Sequence, residues 1–379
     1  MLISTPEALN RVCRDAFACG SVALDTEFVW QRTYHPQLGL VQIALPGRNT
    51  FLIDAVAMPQ LDGLGELLAS PRVKLILHDA LQDLQILARH TGASPVNIFD
   101  TRRAAGFAGL ASTTSLANLL RDLLQIEIDK DATRSNWLQR PLTESQIRYA
   151  HEDVRYLHEV AASLEERIRA NDFSEALAEE MGYYDEPRLY EPITTTALYT
   201  RFRTDRMPHA ARSRLFSLLH WRENEARRGD RPRGHIMPDA DLLQLANDLS
   251  SPTSTATGYG QQKCLVPKRY ATHVQQAIQH ASTIAHDELP EPDPSGGRIA
   301  PAIKQATERR RLAMQERAQA AGIDPALIAN RSEIIALILH EANLGPAPAQ
   351  HICQGWRLPF LAPPPATGLP AQGELPIQS

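Results

Sequence analysis

The segment Ser21–Phe28 has the sequence SVALDTEF and is predicted to form a β-strand, because it is apolar, partly β-branched and preceded by Gly20. Asp25 and Glu27 lie two residues apart in this strand. Successive strand side chains alternate between faces, so both carboxylates project from one face. Two carboxylates on an otherwise apolar strand repel each other and lose hydration unless a cation lies between them. Taken alone, the pair also fits a sheet edge that faces water.

Short apolar segments and helical patterns follow this strand and predict an α/β domain. Further strands are expected at Leu38–Leu45, Phe51–Ala55, Val73–Leu77 and Asn97–Asp100, and helices at Leu61–Ser70, Ala80–His90, Ser115–Leu124 and Thr143–Ile168. The three early strands lie close together in the sequence and indicate an antiparallel meander, whereas strands and helices alternate afterwards. Thr143 and Gln146 form a capping-box pattern, which predicts where the last of these helices begins.

Composition divides the chain into domains and connectors. We expect an α/β domain at 1–175, a linker at 176–207, helical domains at 208–290 and 298–362, and a disordered tail at 363–379. The connector Leu289–Gly297 is indicated by its three Pro and two Gly, and the tail by its Pro-rich composition.

The overall composition excludes several classes of protein. The chain has 379 residues, 43% of them hydrophobic, which suits two to three folded domains of about 150 residues and excludes wholesale disorder. No stretch approaches the ~18 apolar residues of a membrane span. The start, MLISTPEALNRVC, does not have the pattern of a secretory signal. The four cysteines (Cys13, Cys19, Cys264 and Cys353) form no CxxC pair, which argues against structural zinc and disulfides and favours a cytoplasmic location.

Charge is distributed unevenly along the chain. The net charge of −5 by itself makes nucleic acid a poor partner. Residues 1–175 contain 17 Lys and Arg against 22 Asp and Glu, whereas residues 201–235 contain ten Arg against four acidic residues. Arg presents a planar fork that suits phosphate, so the basic window predicts contact with a polyanion. The alternative is a solvated helix face with internal ion pairs.

A second candidate carboxylate, Asp83, lies in the first turns of the helix that follows Val73–Leu77. Ligands of open α/β sheets bind at the carboxyl ends of strands, so this position favours a functional role. His78 and Asp79 lie in the same turn. We expect Asp79 to cap the helix, and His78 either to contact substrate or to be a satisfied core histidine.

A third candidate, Asp153, lies one helical turn beyond Tyr149, so the phenol and the carboxylate project from the same helix face. Asp25, Glu27, Asp83 and Asp153 together provide hard oxygen ligands, which fit Mg²⁺ or Mn²⁺ better than zinc. Two such ions ~4 Å apart can clamp the attacking and leaving oxygens of a phosphodiester displacement. Tyr149 would orient the attacking water or accept its proton.

These residues resemble the DEDDy 3′→5′ exonucleases, in particular ribonuclease D. The matching motifs are Asp25-Thr-Glu27-Phe28, His78-x4-Asp83-Leu84 and Tyr149-x3-Asp153. The surrounding sequence supports the match through Thr33-Tyr34, Leu38-x-Leu40-x-Gln42 and Ser135-Asn-Trp137-Leu-x-Arg140-Pro-Leu-Thr143-x-x-Gln146. The resemblance covers roughly residues 1–175.

The helical part resembles an HRDC domain, a module that accompanies ribonuclease D and some helicases. The matching segments are Leu218-Leu-His-Trp221-Arg222-Glu223, Asp230-x-Pro232-Arg233 and Leu242-x-x-Leu245-Ala246. Residues 299–360, with Gly355-Trp356-Arg357, are similar to a divergent second module of this kind. A plain helical cap is the alternative for that segment.

The resemblance implies a ribonuclease H-like α/β exonuclease domain, with a mixed sheet flanked by helices, followed by two all-α HRDC-type helical bundles. It implies that Asp25, Glu27, Asp83 and Asp153 bind two divalent ions, Mg²⁺ or Mn²⁺, and that Tyr149 aligns the nucleophilic water. The implied activity is removal of 5′-nucleotides from RNA 3′ ends, especially precursor tRNA tails. Candidate substrate contacts are Phe28, for which core packing is the alternative, and His78, Arg222, Arg227 and Arg233.

Two other functions fit the same residues. Proofreading DNA exonucleases use the same carboxylates, and no residue here reveals a contact with a ribose 2′-hydroxyl, which would distinguish RNA from DNA. The second alternative is a non-catalytic nucleic-acid-binding protein with a vestigial acidic pocket. We expect neither a membrane nor an obligate protein partner.

Overall fold

A six-stranded mixed sheet organises the first half of the chain in the computed structural model. The strands are β1 (Leu2–Ile3), β2 (Ser21–Val29), β3 (Gln37–Leu45), β4 (Asn49–Asp54), β5 (Lys74–Leu77) and β6 (Ile98–Asp100). Their order is β1-β4-β3-β2-β5-β6, with β3 and β4 antiparallel and the pairs β1/β4, β2/β5 and β5/β6 parallel. The five predicted strands are confirmed, and β1 is an addition. Strand β2, which carries Asp25 and Glu27, therefore lies inside the sheet with a neighbour on each side.

The structure describes residues 2–58, 60–128, 135–248, 266–290 and 299–364. Cys264, most of the predicted connector 289–297 and most of the predicted tail 363–379 lie outside these ranges. The chain divides into two units. The described parts of the first are residues 2–29, 38–58, 60–128, 135–191 and 300–364, and those of the second are residues 30–37, 192–248, 266–290 and 299.

Helices cover the sheet of the first unit. They are α1 (Pro6–Cys19), α2 (Asp62–Leu68), α3 (Leu81–Thr91), α4 (Thr101–Phe107), α5 (Leu116–Leu119, continued by a π-turn, Leu120–Leu124), α6 (Glu144–Arg155), α7 (Leu157–Ala170) and α8 (Ser174–Met181). The predicted capping box is present, because the Thr143 hydroxyl accepts from the Gln146 backbone N–H and the Gln146 side chain accepts from that of Thr143. The predicted single helix Thr143–Ile168 is wrong in one respect, since Tyr156 separates α6 from α7.

Asp79 does not cap helix α3, contrary to the prediction. Its backbone is left-handed, with φ +62°, and its side chain pairs with Arg102. The position before α3 is Ala80, which provides no side-chain cap. The carboxylate of Asp100 instead accepts hydrogen bonds from the backbone N–H groups just before the helix, those of Asp79 (3.0 Å) and Ala80 (3.1 Å). The turn before α3 is thus fixed by a residue from the end of strand β6.

The second unit is a helical domain. Its helices are α9 (Thr195–Tyr199), α10 (His209–Arg228), α11 (Arg233–Ile236), α12 (Asp239–Asn247) and α13 (Ala271–Ala281). Helix α10 packs against α12 and α13 around Leu215, Leu218 and Leu219. Residues 30–37 group with this unit, because Tyr34 is buried in the same core.

Four further helices complete the first unit: α14 (Pro301–Ala321), α15 (Arg331–Glu341), α16 (Gln350–Cys353) and α17 (Leu358–Leu361). They dock on the sheet-containing core through an ion pair between Arg357 and buried Glu180 (2.6 Å) and an edge-on contact between the rings of Trp356 and Phe107. Gly355 allows this approach, because a Cβ at its position would lie 1.7 Å from a Glu179 oxygen. Among the described residues, none of the helices is both long and apolar enough to cross a membrane.

Candidate active site

Three carboxylates meet where helix α6 packs against strand β2. Asp25 and Glu27 project from β2, and Asp153 projects from α6. One oxygen of each side chain lies within 4.8 Å of the others. The period of two along β2 aligns Asp25 with Glu27, and the packing of α6 against β2 brings Asp153 to them.

The environment of these carboxylates opposes their ionisation. Burial and the neighbouring charges of Asp83 and Asp153 raise the pKa of Asp25 well above its usual range. Burial and the charge of Asp153 raise the pKa of Glu27 to about 9, and burial raises the pKa of Asp153 to about 7. A divalent cation would compensate these crowded charges, and carboxylate oxygens are the ligands that Mg²⁺ and Mn²⁺ prefer. The donor set therefore fits a divalent ion.

Asp83, the fourth predicted ligand, lies beside the cluster and is held by a separate contact. It is buried near the start of α3, and its carboxylate accepts a hydrogen bond from the Thr26 hydroxyl. Burial raises the pKa of Asp83 to about 6. Among the carboxylates that repel Asp25, Asp83 has the largest effect on its pKa. Within the described residues, the three-oxygen cluster does not include Asp83, so the structure brings three of the predicted ligands together and places the fourth within electrostatic reach.

Tyr149 lies one turn before Asp153 on α6, and their side chains are hydrogen-bonded as the i,i+4 spacing predicts. Burial and the charge of Asp153 raise the pKa of the Tyr149 phenol far above its usual value. Both roles of Tyr149, orientation of the water and acceptance of its proton, stay predictions.

Two residues beneath the carboxylates had no predicted role. The fully buried Gln42 on β3 donates from Nε2 to Asp25 Oδ2 at 3.4 Å. The indole N–H of buried Trp137 donates to Glu27. A signal for Gln42 was present, since it is the one polar residue inside the apolar stretch LGLVQIAL. Trp137 lies 110 positions after Glu27, and no local pattern connects them.

Two residues predicted to contact substrate, His78 and Phe28, make contacts within the first unit. His78 is half-buried, with Nδ1 3.0 Å from the Thr101 hydroxyl, and burial lowers its pKa. Phe28 is half-buried and packs against the core of the first unit. These positions fit the alternatives of a satisfied core histidine and a packing residue, and contact with substrate stays a prediction for both.

The arginines predicted to bind substrate are engaged inside the second unit. Arg222 is 4% exposed, and its guanidinium donates to the Met237 carbonyl (2.8 Å) and to Asp239 (2.6 Å). Burial and these hydrogen bonds fit the alternative of internal pairing, and contact of Arg222 with substrate stays a prediction. Arg227 and Arg233 both pair with Glu223, at 3.4 and 2.5 Å. This part of the basic window matches the alternative of internal ion pairs.

Comparison with known proteins agrees with this geometry. A family model described as 3′-5′ exonuclease matches residues 1–169, and an HRDC domain model matches residues 212–256. Ribonuclease D of Desulfotalea psychrophila is 38% identical over 95% of this chain and 96% of its own length. Ribonuclease D of Pseudomonas paraeruginosa is 31% identical over 94% of this chain and 96% of its own length.

A solved structure extends the likeness to the fold of nearly the whole chain. The crystal structure of Escherichia coli RNase D, described as an exoribonuclease involved in structured RNA processing, has a TM-score of 0.80 and 26% identity. The match covers 94% of this chain and 95% of that one. The chain therefore belongs to the metal-dependent ribonuclease D family and is a 3′→5′ exoribonuclease.

Proposed function

We propose that this exoribonuclease trims the 3′ tails of precursor tRNA with the help of two divalent ions, Mg²⁺ or Mn²⁺, and releases 5′-monophosphates. The observation that carries the proposal is the convergence of Asp25, Glu27 and Asp153, whose oxygens lie within 4.8 Å of one another, with Asp83 beside them. Asp25, Glu27 and Asp153 are partly buried and repel one another, and bound cations would stabilise such an arrangement.

Each residue of the site has a distinct task in this proposal. Asp25, Glu27, Asp83 and Asp153 would hold the ions, which lower the pKa of water and neutralise charge on the scissile phosphate. Tyr149 donates its O–H to Asp153, and its phenol oxygen would accept a hydrogen bond from the attacking water and so align it. Phe28 and His78 would contact the terminal nucleotides.

The substrate assignment is supported by the relatives. The E. coli protein is described as acting in structured RNA processing, and a precursor tRNA is a structured RNA with a single-stranded 3′ tail. We propose that the helical domain at 208–290 assists binding, that 298–362 forms a second, divergent HRDC-like module, and that 1–175 is the exonuclease domain. We also propose a cytoplasmic location, which the free thiols of Cys13, Cys19 and Cys353 support.

Paired digestion tests the substrate. Precursor tRNA with a 3′ tail, its DNA counterpart and an unstructured RNA of equal tail length are labelled at the 5′ end and incubated with enzyme and Mn²⁺. We expect stepwise release of 5′-monophosphates and shortening of the precursor to a stable product. Preferential cleavage of the DNA would contradict the RNA assignment, and equal cleavage of all RNAs with no stable product would contradict the tRNA assignment.

A further inference from the structure

A buried amide side chain, that of Gln42, contacts Asp25, one of the two carboxylates of β2. Gln42 lies on β3, the neighbour of β2, is fully buried, and donates to Asp25. The side-chain oxygen of Gln42, Oε1, is buried and has no hydrogen-bond partner among the residues that the structure describes. An unsatisfied buried acceptor destabilises a fold by about 1–3 kcal/mol. Stability alone therefore does not account for Gln42, because an apolar residue of similar size would serve the fold better.

A second buried group contacts the other carboxylate of the strand. Trp137 is 2% exposed, its indole N–H donates to Glu27, and its ring packs 6.2 Å from the Tyr149 ring. Its ring belongs to a small apolar cluster with Leu40 and Ala150, which come from β3 and α6. The indole thus packs against α6, which carries Asp153, and against β3, the neighbour of β2 in the sheet.

The main chain around Trp137 is anchored to the sheet. Arg140 donates to the carbonyls of Trp137 and Gly39, both at 2.8 Å, and its guanidinium is paired with Asp54 through two hydrogen bonds of 2.6 and 2.8 Å. Gly39 permits this packing, because a Cβ there would lie 2.5 Å from the Trp137 carbonyl oxygen. The bidentate ion pair and the close backbone approach fix where the indole lies.

We propose that Gln42 and Trp137 are positioning residues, each of which donates one N–H to a carboxylate of β2 and fixes its orientation for a divalent ion. Gln42 holds Asp25, Trp137 holds Glu27, and Arg140 with Asp54 holds Trp137. The proposal rests on the metal-binding role proposed above. Partners of this kind orient the residues that ligate a metal, and their loss lowers metal affinity or activity by about 10- to 100-fold.

The first test replaces Trp137 with Phe, which keeps an aromatic ring and removes the N–H. Calorimetric titration of the full-length protein with Mn²⁺ should show affinity lowered by about 10- to 100-fold, with kcat reduced and KM for RNA unchanged. The matched control is Trp221→Phe in the second unit. The half-buried Trp221 ring packs on Tyr270, and its N–H has no partner among the described residues, so we expect wild-type Mn²⁺ affinity.

The second test, Gln42→Leu, separates a positioning role from a structural one. The substitution removes the unsatisfied acceptor, so the metal-free variant should melt at the wild-type temperature or above it, while its Mn²⁺ affinity falls by about 10-fold or more. A structural role would instead lower the melting temperature and leave Mn²⁺ affinity at the wild-type value.

The outcomes distinguish the two proposals. If the wild-type protein binds Mn²⁺ and both Trp137→Phe and Gln42→Leu bind it with equal affinity and cleave at the same rate, the positioning role is wrong. If the wild-type protein binds no Mn²⁺, or Asp25→Asn binds it as tightly as wild type does, the metal-binding role itself is wrong.

Discussion

Two acids, Glu223 in the second unit and Asp25 in the first, have opposite electrostatic surroundings. In the second unit, Glu223 is 3% exposed and accepts hydrogen bonds from Arg233, Arg227 and Tyr34. Burial would raise its pKa, but Arg233 and Tyr34 outweigh burial and hold the pKa below its usual value. In the first unit, Asp25 has other carboxylates as neighbours, and its pKa rises.

This difference separates a structural charge from a functional one. A buried carboxylate that has a structural role is paired with a cationic side chain, as Glu223 is with Arg233 and Arg227. A fold that crowds carboxylates together accepts a loss of stability, which is regained when a cation binds. The direction of the pKa shift therefore indicates which buried acids are expected to bind a ligand.

The largest expected effect is the loss of activity in Asp25→Asn. Stabilisation of transition-state charge by metal ions amounts to several kcal/mol, so we expect kcat/KM to fall by about 10³-fold or more. Asp15→Asn makes the same chemical change on the exposed face of α1 and should keep wild-type activity. Equal rates for Asp25→Asn and wild type on labelled RNA would show that Asp25 is not a functional acid and would contradict the contrast with Glu223.

Glu223→Gln should destabilise the second unit by about 3 kcal/mol, because two guanidiniums then lose their counter-charge. The control is Glu225→Gln. Glu225 pairs with the exposed Arg228 (2.7 Å), and a surface pair of this kind contributes about 0–1 kcal/mol. Urea unfolding measured by circular dichroism compares the two variants. A smaller loss of unfolding free energy for Glu223→Gln than for Glu225→Gln would show that the buried ion pairs of Glu223 do not stabilise the fold more than a surface pair does.

Asp153→Asn should change the free energy of unfolding in the opposite direction and stabilise the metal-free protein. In the fold the pKa of Asp153 is about 7, against an ordinary value of 3.8, so the wild-type protein loses stability as pH rises through this interval. The variant should be more stable by about 4 kcal/mol above pH 7, and the gain should shrink towards pH 4. Thermal melts in EDTA at pH 4.5 and 8 measure this, and a destabilised variant at pH 8 would contradict it.

The smallest effect concerns the basic window. Arg222 is buried, but Arg201 and Arg203 are exposed. If exposed arginines contact RNA, replacing both with Ala should weaken binding a few-fold and make the salt dependence shallower by about 0.7–0.9 for each phosphate that is no longer neutralised. The exposed pair Arg11 and Arg14 on α1, replaced in the same way, should leave the slope unchanged. An unaltered slope for Arg201→Ala/Arg203→Ala would exclude this part of the window from RNA binding.

Local rules explain how much of the site could be predicted. The alternation of side chains along β2 aligned Asp25 with Glu27, and the helical repeat aligned Tyr149 with Asp153. Both relations depend only on spacing within one element. The five strands from β2 to β6 were predictable for the same reason, since their apolar segments are bounded by turn-forming residues.

Spacing within one element could not predict contacts between segments that are distant in the sequence. Tyr34 joins the core of the second unit through Glu223, 189 positions away. The partners of Arg222 and Arg233 likewise depend on how helices pack, so composition alone could not distinguish an ion pair from an RNA contact. The separation of α6 from α7 at Tyr156 carries no Gly or Pro that would indicate a helix end.

Anomalous diffraction from crystals soaked in Mn²⁺ tests most directly whether the acidic cluster is a metal site. We predict a strong peak within ~2.2 Å of oxygens from Asp25, Glu27 and Asp153, with a second peak ~4 Å away towards Asp83. The absence of any peak at these carboxylates, in crystals that bind Mn²⁺ elsewhere, would contradict the metal-dependent assignment of the site.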